Sequence, residues 1–183
     1  MVVGAPRCLL SPSRGRLTAR VSHPSLPYPT NHDGLFYALE IPVDFELDRP
    51  PADPEVFPHK TGPRSGRSDL RLDHISLGRI DWRDLPGRDF RFPVNPGSGY
   101  IDGSIYLNSS HHYADATRLT FGPPQASGLR VRLEVAFDFS QIDAAPSALP
   151  ATVQVSWEVL LDVDAPELDR QMMLAKSVLG PLG

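Results

Sequence analysis

The chain has one cysteine, Cys8, in 183 residues. No intramolecular disulfide can form, so folding does not depend on an oxidising compartment. No apolar run approaches the roughly eighteen residues of a membrane-spanning helix. The motifs of common chemistries are missing too. There is no glycine-rich phosphate loop and no zinc-ligand spacing. Ser104, in Asp102-Gly103-Ser104-Ile105-Tyr106, lacks the Gly-x-Ser-x-Gly pattern that exposes a nucleophile. Cys8 sits among arginines, serines and prolines, a poor setting for a nucleophile. These absences leave no catalytic residue, metal site or cofactor to assign.

Acid is absent from the first 32 residues, which carry Arg7, Arg14, Arg16 and Arg20. Taking those four from the 18 basic residues leaves 14 against 22 acidic ones, a balance of −8 in the rest of the chain. An acidic body argues against nucleic acid as the main partner. Long helices have little room either, because 20 prolines and 14 glycines interrupt the sequence. Several fall where apolar patterns stop, as turn residues do.

What the chain does have is alternation. Leu35, Tyr37, Leu39, Ile41, Val43, Phe45 and Leu47 occupy every second position. So do Leu129, Val131, Leu133, Val135, Phe137 and Phe139, and again Val153, Val155, Trp157, Val159, Leu161 and Val163. Successive strand residues point to opposite faces, so a period of two makes one oily and one wet face. The intervening Arg130, Arg132, Glu134, Thr152, Gln154 and Glu158 suit the wet face. Trp157 is expected midway along a buried stripe between Val155 and Val159.

Residues 1–33 read as a disordered basic leader that the fold can lose, and residues 34–183 as a single β domain. The first strand spans about 35–47, with a bend at Pro42 that suggests an edge strand or bulge. Residues 48–69 read as a long proline-rich surface loop. Over 70–94 short strands change parity around His74 and Gly78, as a β-bulge would make them do. Residues 99–139 read as a meander. Its middle strand, 111–121, puts Tyr113, Thr117, Leu119 and Phe121 on one face. Asn108-Ser109-Ser110 suits the tight turn before it, and Gly122-Pro123-Pro124 starts the loop after it. A last strand covers 152–164. Pro166 then opens a helix through Leu168, Met172, Ala175 and Leu179 that ends at Gly180-Pro181. The fold expected is all-β, an antiparallel β-sandwich or partly open β-barrel of about seven to nine strands with a short C-terminal helix.

Two groups of residues are candidates for a ligand site. Tyr100, Asp102, Ser104 and Tyr106 share one strand face. Covered, that face would line a pocket; open, it is the wet side of a sheet. His111 and His112 are adjacent and must diverge, so they do not easily share a metal. Asp115 lies on the His111 side. With His74 it could serve acid–base work, or these could be polar residues at a hairpin end. Arginines and aspartates interleave over 64–91, as on a solvated, salt-bridged surface.

The function these readings favour is a non-enzymatic binding or interaction protein, its partner an unidentified protein or small molecule, with no nucleic acid and no membrane. The loop 48–69 and the hairpin end near 108–113 are where binding is expected. The alternative is a barrel holding a small apolar ligand, with His/Asp acid–base catalysis at its mouth. A filled interior separates the first from the second. The expected compartment is cytoplasmic, or mitochondrial if residues 1–33 act as a transit peptide.

Overall fold

A computed structural model describes residues 8–27, 33–47, 64–107, 110–125, 128–138 and 152–183. Among the described residues there are nine strands: β1 (Cys8–Pro12), β2 (Gly15–Ser22), β3 (Gly34–Leu47), β4 (Arg64–Ile75), β5 (Asp89–Arg91), β6 (Asp102–Leu107), β7 (Ser110–Gln125), β8 (Gly128–Asp138) and β9 (Thr152–Val163). One helix, α1 (Ala165–Leu179), follows them. Seven strands close a barrel in the order β3-β2-β9-β8-β7-β6-β4, with β4 pairing back to β3. The extra strands are β1, which continues the β2 lane along β3, and β5, which lies on β7. Every pairing is antiparallel except β2 with β9. The chain is therefore a closed barrel, not a sandwich.

The disordered-leader reading is corrected for residues 8–22. Leu17 and Val21 are buried in the core, and β2 pairs with β3 from Arg16↔Glu40 to Ser22↔Gly34. The alternation here is short, includes the small Ala19, and stands between arginines that remain outside. It carries little sequence signal, yet it supplies one of the seven walls. Residues 1–7 and 28–32 lie outside the described residues.

The edge-strand reading of β3 is also corrected, since β3 is flanked by β1 and β2 on one side and by β4 on the other. Pro42 is tolerated for a local reason. Its carbonyl accepts from the Ser13 N–H at 2.7 Å, in the connection between β1 and β2. A strand residue sends its N–H and C=O to the same flank. The missing donor thus faces a break in the ladder. Of the expected loop 48–69, residues 64–69 belong to β4, and 48–63 lie outside the described residues. Arginine, serine and glycine hid that strand. Gly66 leaves room for its neighbour: a Cβ would stand 2.8 Å from the Phe45 ring opposite and push it aside.

Two bulges set which side chains face inward. In β4, Asp73 and His74 together oppose Ala38, and His74 has φ 55°. That is the parity change read around His74. In β7 the register shifts at Thr117, between Ala116↔Val135 and Arg118↔Glu134. His112, Ala114 and Ala116 point inward before the shift, and Leu119 and Phe121 after it. Tyr113 consequently points outward, against the expectation that it shares a face with Leu119. β7 also runs on through 122–124, with a second irregularity between Phe121 and Pro124, so no loop begins there.

The inward side chains fill the barrel. Ile41, Leu70, Leu72, Ile105, Leu119, Leu133 and Phe137 have no accessible surface, and Tyr37 and Phe121 have almost none. Side chains with no surface open to a water molecule line no water-sized cavity. A barrel this narrow has an interior that side chains alone can fill. Trp157 is buried as expected, its ring 5.8 Å from that of Phe137.

Helix α1 closes one end. Asp164 caps it by accepting from the Glu167 N–H at 3.2 Å, and Pro166 occupies the first turn. Leu168, Met172 and Ala175 are buried, as their spacing predicted. Among the described residues no helix is long and apolar enough to cross a membrane.

Candidate functional site

The residues singled out in the sequence run along β6 and β7, from Asp102, which pairs with Asp73 beside the β4 bulge, to Tyr106 and His111 at the hairpin opposite α1. In β6, Gly103, Ile105 and Leu107 point into the barrel. Asp102, Ser104 and Tyr106 therefore point out, and Tyr100, just before the strand, is exposed as well. Strand β6 lies very close to β7: a Cβ at Gly103 would fall 2.0 Å from the Ala114 carbonyl oxygen. Tyr100, Asp102 and Tyr106 are exposed and Ser104 is half-buried. They form the wet side of the sheet.

Pairing across the hairpin puts Tyr106 opposite His111 and Ser104 opposite Tyr113. On the outer face this makes a small aromatic cluster. The rings of Tyr106 and His111 meet edge to face at 5.0 Å, and those of His111 and Tyr113 at 5.3 Å. Tyr106 is 56% exposed and Tyr113 44%. The cluster has a local anchor, because the Tyr106 N–H donates to Ser68 Oγ at 3.3 Å. Tyr113 was missed as a member. Its odd position, shared with His111 and Asp115, was the available signal, and the bulge at Thr117 concealed it.

His111 and His112 diverge, as adjacent strand residues must. His112 is almost completely buried. Desolvation, and secondarily the His111 charge, hold its imidazole below the usual range, with Asp138 acting the other way. Asp115 is half-buried on the outer side. Burial raises its carboxyl above the usual range; a hydrogen bond from the Asn95 backbone opposes this, and Asp138 adds to it. His74 is elsewhere, in the β4 bulge at the α1 end, with its ring 5.8 Å from that of Phe36. The expected grouping of His74 with His111 and Asp115 does not form. Among the described residues no three His, Cys, Asp or Glu side chains gather where they could hold a metal.

The interleaved charges pair on the surface. Arg118 reaches Asp89 at 2.8 and 3.1 Å, and Thr120 donates to the same carboxylate at 2.6 Å. These bonds pull the Asp89 pKa down to about 2. Arg71 meets Glu40 at 3.3 Å, and Arg83 meets Asp81 at 3.1 Å. An open depression of about 270 Å³ lies over Thr18, Glu40, Arg71 and Asp73, and another of about 210 Å³ over Thr117, Glu134, Gln154 and Ser156. Neither includes the aromatic cluster.

Comparison with known proteins gives no match: no family model, no curated protein and no solved structure aligns with this chain.

Proposed function

We propose that this protein is a non-enzymatic binding or interaction protein that works through the outside of its barrel. The observation that carries the reading is the filled interior. With Ile41, Leu72, Leu133 and Phe137 inaccessible, a ligand has no room among them. Recognition then falls to the outer surface. The exposed aromatic side chains of Tyr106 and Tyr113, with His111 between them, are the strongest contact candidates there. Tyrosines bring large contact area at a small cost in conformational entropy, and a rigid hairpin holds them.

The alternative, a barrel around a small apolar ligand with acid–base chemistry at its mouth, gains nothing from the packed core. Its His/Asp pair, His111 with Asp115, lies on the outer face of β7, turned away from the interior. The test is affinity capture from native lysate, with the unaltered chain compared against Tyr106→Ala/Tyr113→Ala. Partners that the unaltered chain retains and the double variant loses support the proposal. Equal capture by both places recognition elsewhere. Saturable uptake of a fluorescent fatty-acid analogue would favour the alternative.

A further inference from the structure

The barrel is fastened unevenly. Strands β2 and β9 meet through three Cα pairs, Gly15↔Leu161, Arg16↔Asp162 and Leu17↔Val163. The Arg14 guanidinium pairs with Asp162 at the limit of this junction. Strand β9 is laddered to β8 from Thr152 to Leu161. On its other flank, residues 152–160 pair with nothing among the described residues. Strand β1 lies across from them in the next lane, but the two strands are not paired. Their Cα atoms stay for the most part more than 8 Å apart.

We propose that this seam accepts an extended peptide as an added strand between β9 and β1. Every second residue of an unpaired flank presents a free N–H and C=O, a template for one more strand. The flank lacks the usual protection. Residues 152–160 contain no proline and no lysine, and Glu158 is their sole charge. Neighbouring strands lie about 4.8 Å apart, so one inserted strand needs a gap of about 9–10 Å. The side chains agree. Leu161, Val159 and Trp157 are buried near the junction, whereas Val155 and Val153 further along are half-buried, as is Leu10 on β1. A peptide with apolar residues at alternate positions would complete that face. A second copy fits less well, because its β9 is held by β8 in a barrel wall and cannot enter a slot one strand wide.

The seam is two strands away from the β6–β7 cluster, so the proposal stands or falls separately from the outer-face reading. The test uses the full, ¹⁵N-labelled chain and an acetylated, amidated heptapeptide of alternating valine and threonine ending in lysine. Alternate amides within 152–160 should shift and exchange at least tenfold more slowly with the peptide. A twin N-methylated at alternate residues keeps the side chains but loses donors along one flank, and should bind at least tenfold more weakly. Val153→Lys, an inward charge at the open part of the seam, should reduce binding similarly while circular dichroism shows an intact fold. If that variant does not fold, the comparison of peptide with twin decides. Four results overturn the proposal: no added protection of these amides, equal binding of the twin, full protection already in the free chain, or a concentration-dependent dimer protecting the same amides. The third would mean that another part of this chain already covers the flank.

Discussion

At the α1 end of the barrel, specific bonds join elements far apart in sequence; at the hairpin end, exposed rings lie on a finished sheet. Tyr37, buried in β3, donates its hydroxyl to the Ile80 carbonyl at 2.7 Å. Trp82 Nε1 donates to Asp169 of α1 at 2.9 Å. The Val21 N–H, past the last β2–β9 pair, donates to Gln171 Oε1 at 3.2 Å, so the helix takes over where the parallel ladder stops. Arg83 bridges Asp81 and Asp169 and stacks 5.0 Å from the Trp82 ring. At the other end the rings of Tyr106, His111 and Tyr113 meet edge to face on the outer surface. The first end holds the fold together. The second is expected to tolerate changes of its surface, the property that the proposed recognition role requires.

The contrast breaks most severely if β1 and β2 are dispensable. Deleting residues 8–22 removes one of seven walls together with Leu17 and Val21. The expected result is loss of any cooperative unfolding transition by circular dichroism. A deletion variant that still melts cooperatively would show that the remaining strands close without this lane. Next comes the helix. Leu168→Ala should destabilise the protein by about 2–5 kcal/mol in denaturant melts, from lost burial plus the cavity left behind. Trp82→Phe, which removes the donor to Asp169 from a half-exposed site, should lose about 1 kcal/mol.

The same contrast explains what was legible beforehand. The long walls β3, β8 and β9 announced themselves because each burying position carries a large apolar side chain. Helix α1 did so through Leu168, Met172 and Ala175 at helical spacing. The β4 bulge was visible because a parity break lies between two clear alternations. Walls built from small or polar residues were not legible. β2 contributes Ala19, the first half of β4 runs Arg-Ser-Gly-Arg-Ser-Asp, and β7 buries His112, Ala114 and Ala116. Their burial comes from partners distant in sequence, which no local pattern encodes. For the candidate site, the divergence of the two histidines followed from strand geometry alone. The outward turn of Tyr113 did not, since it depends on the bulge at Thr117, where no glycine or proline marks the shift.

His112 sharpens the comparison with a smaller effect, because it is a titratable group inside the wall at the hairpin end. Burial holds its folded pKa below the unfolded value of about 6.5. Between those two values the unfolded chain takes up a proton that the folded chain refuses. Stability is therefore fully present above about pH 6.5 and declines as pH falls toward the folded value. Asp115 has the opposite sign: its carboxyl is raised, so the folded state protonates first, in a window starting at its unfolded value of about 3.9. Melting temperatures measured from about pH 7.5 down to about 5.5 should fall for the unaltered chain. They should fall less for His112→Gln. An equal decline in both would assign the pH dependence to other groups.

The smallest stability effect belongs to the residues with the largest proposed role. Tyr106 and Tyr113 stand on the outer face, more exposed than buried or nearly so, and their ring contacts are with each other's neighbour His111. Truncating either removes an edge-to-face contact but opens no cavity in the core, so Tyr106→Ala and Tyr113→Ala should each destabilise by less than about 1 kcal/mol. Retained strand pairing supports this, since neither the β6–β7 ladder nor the bond from the Tyr106 N–H to the Ser68 hydroxyl needs the phenol. Paired denaturant melts of both variants and of Leu168→Ala check the ordering. If the tyrosine variants lose as much stability as the helix variant, the cluster is part of the scaffold. The hairpin end would then not be free to serve recognition, and the distinction between the two ends would fail.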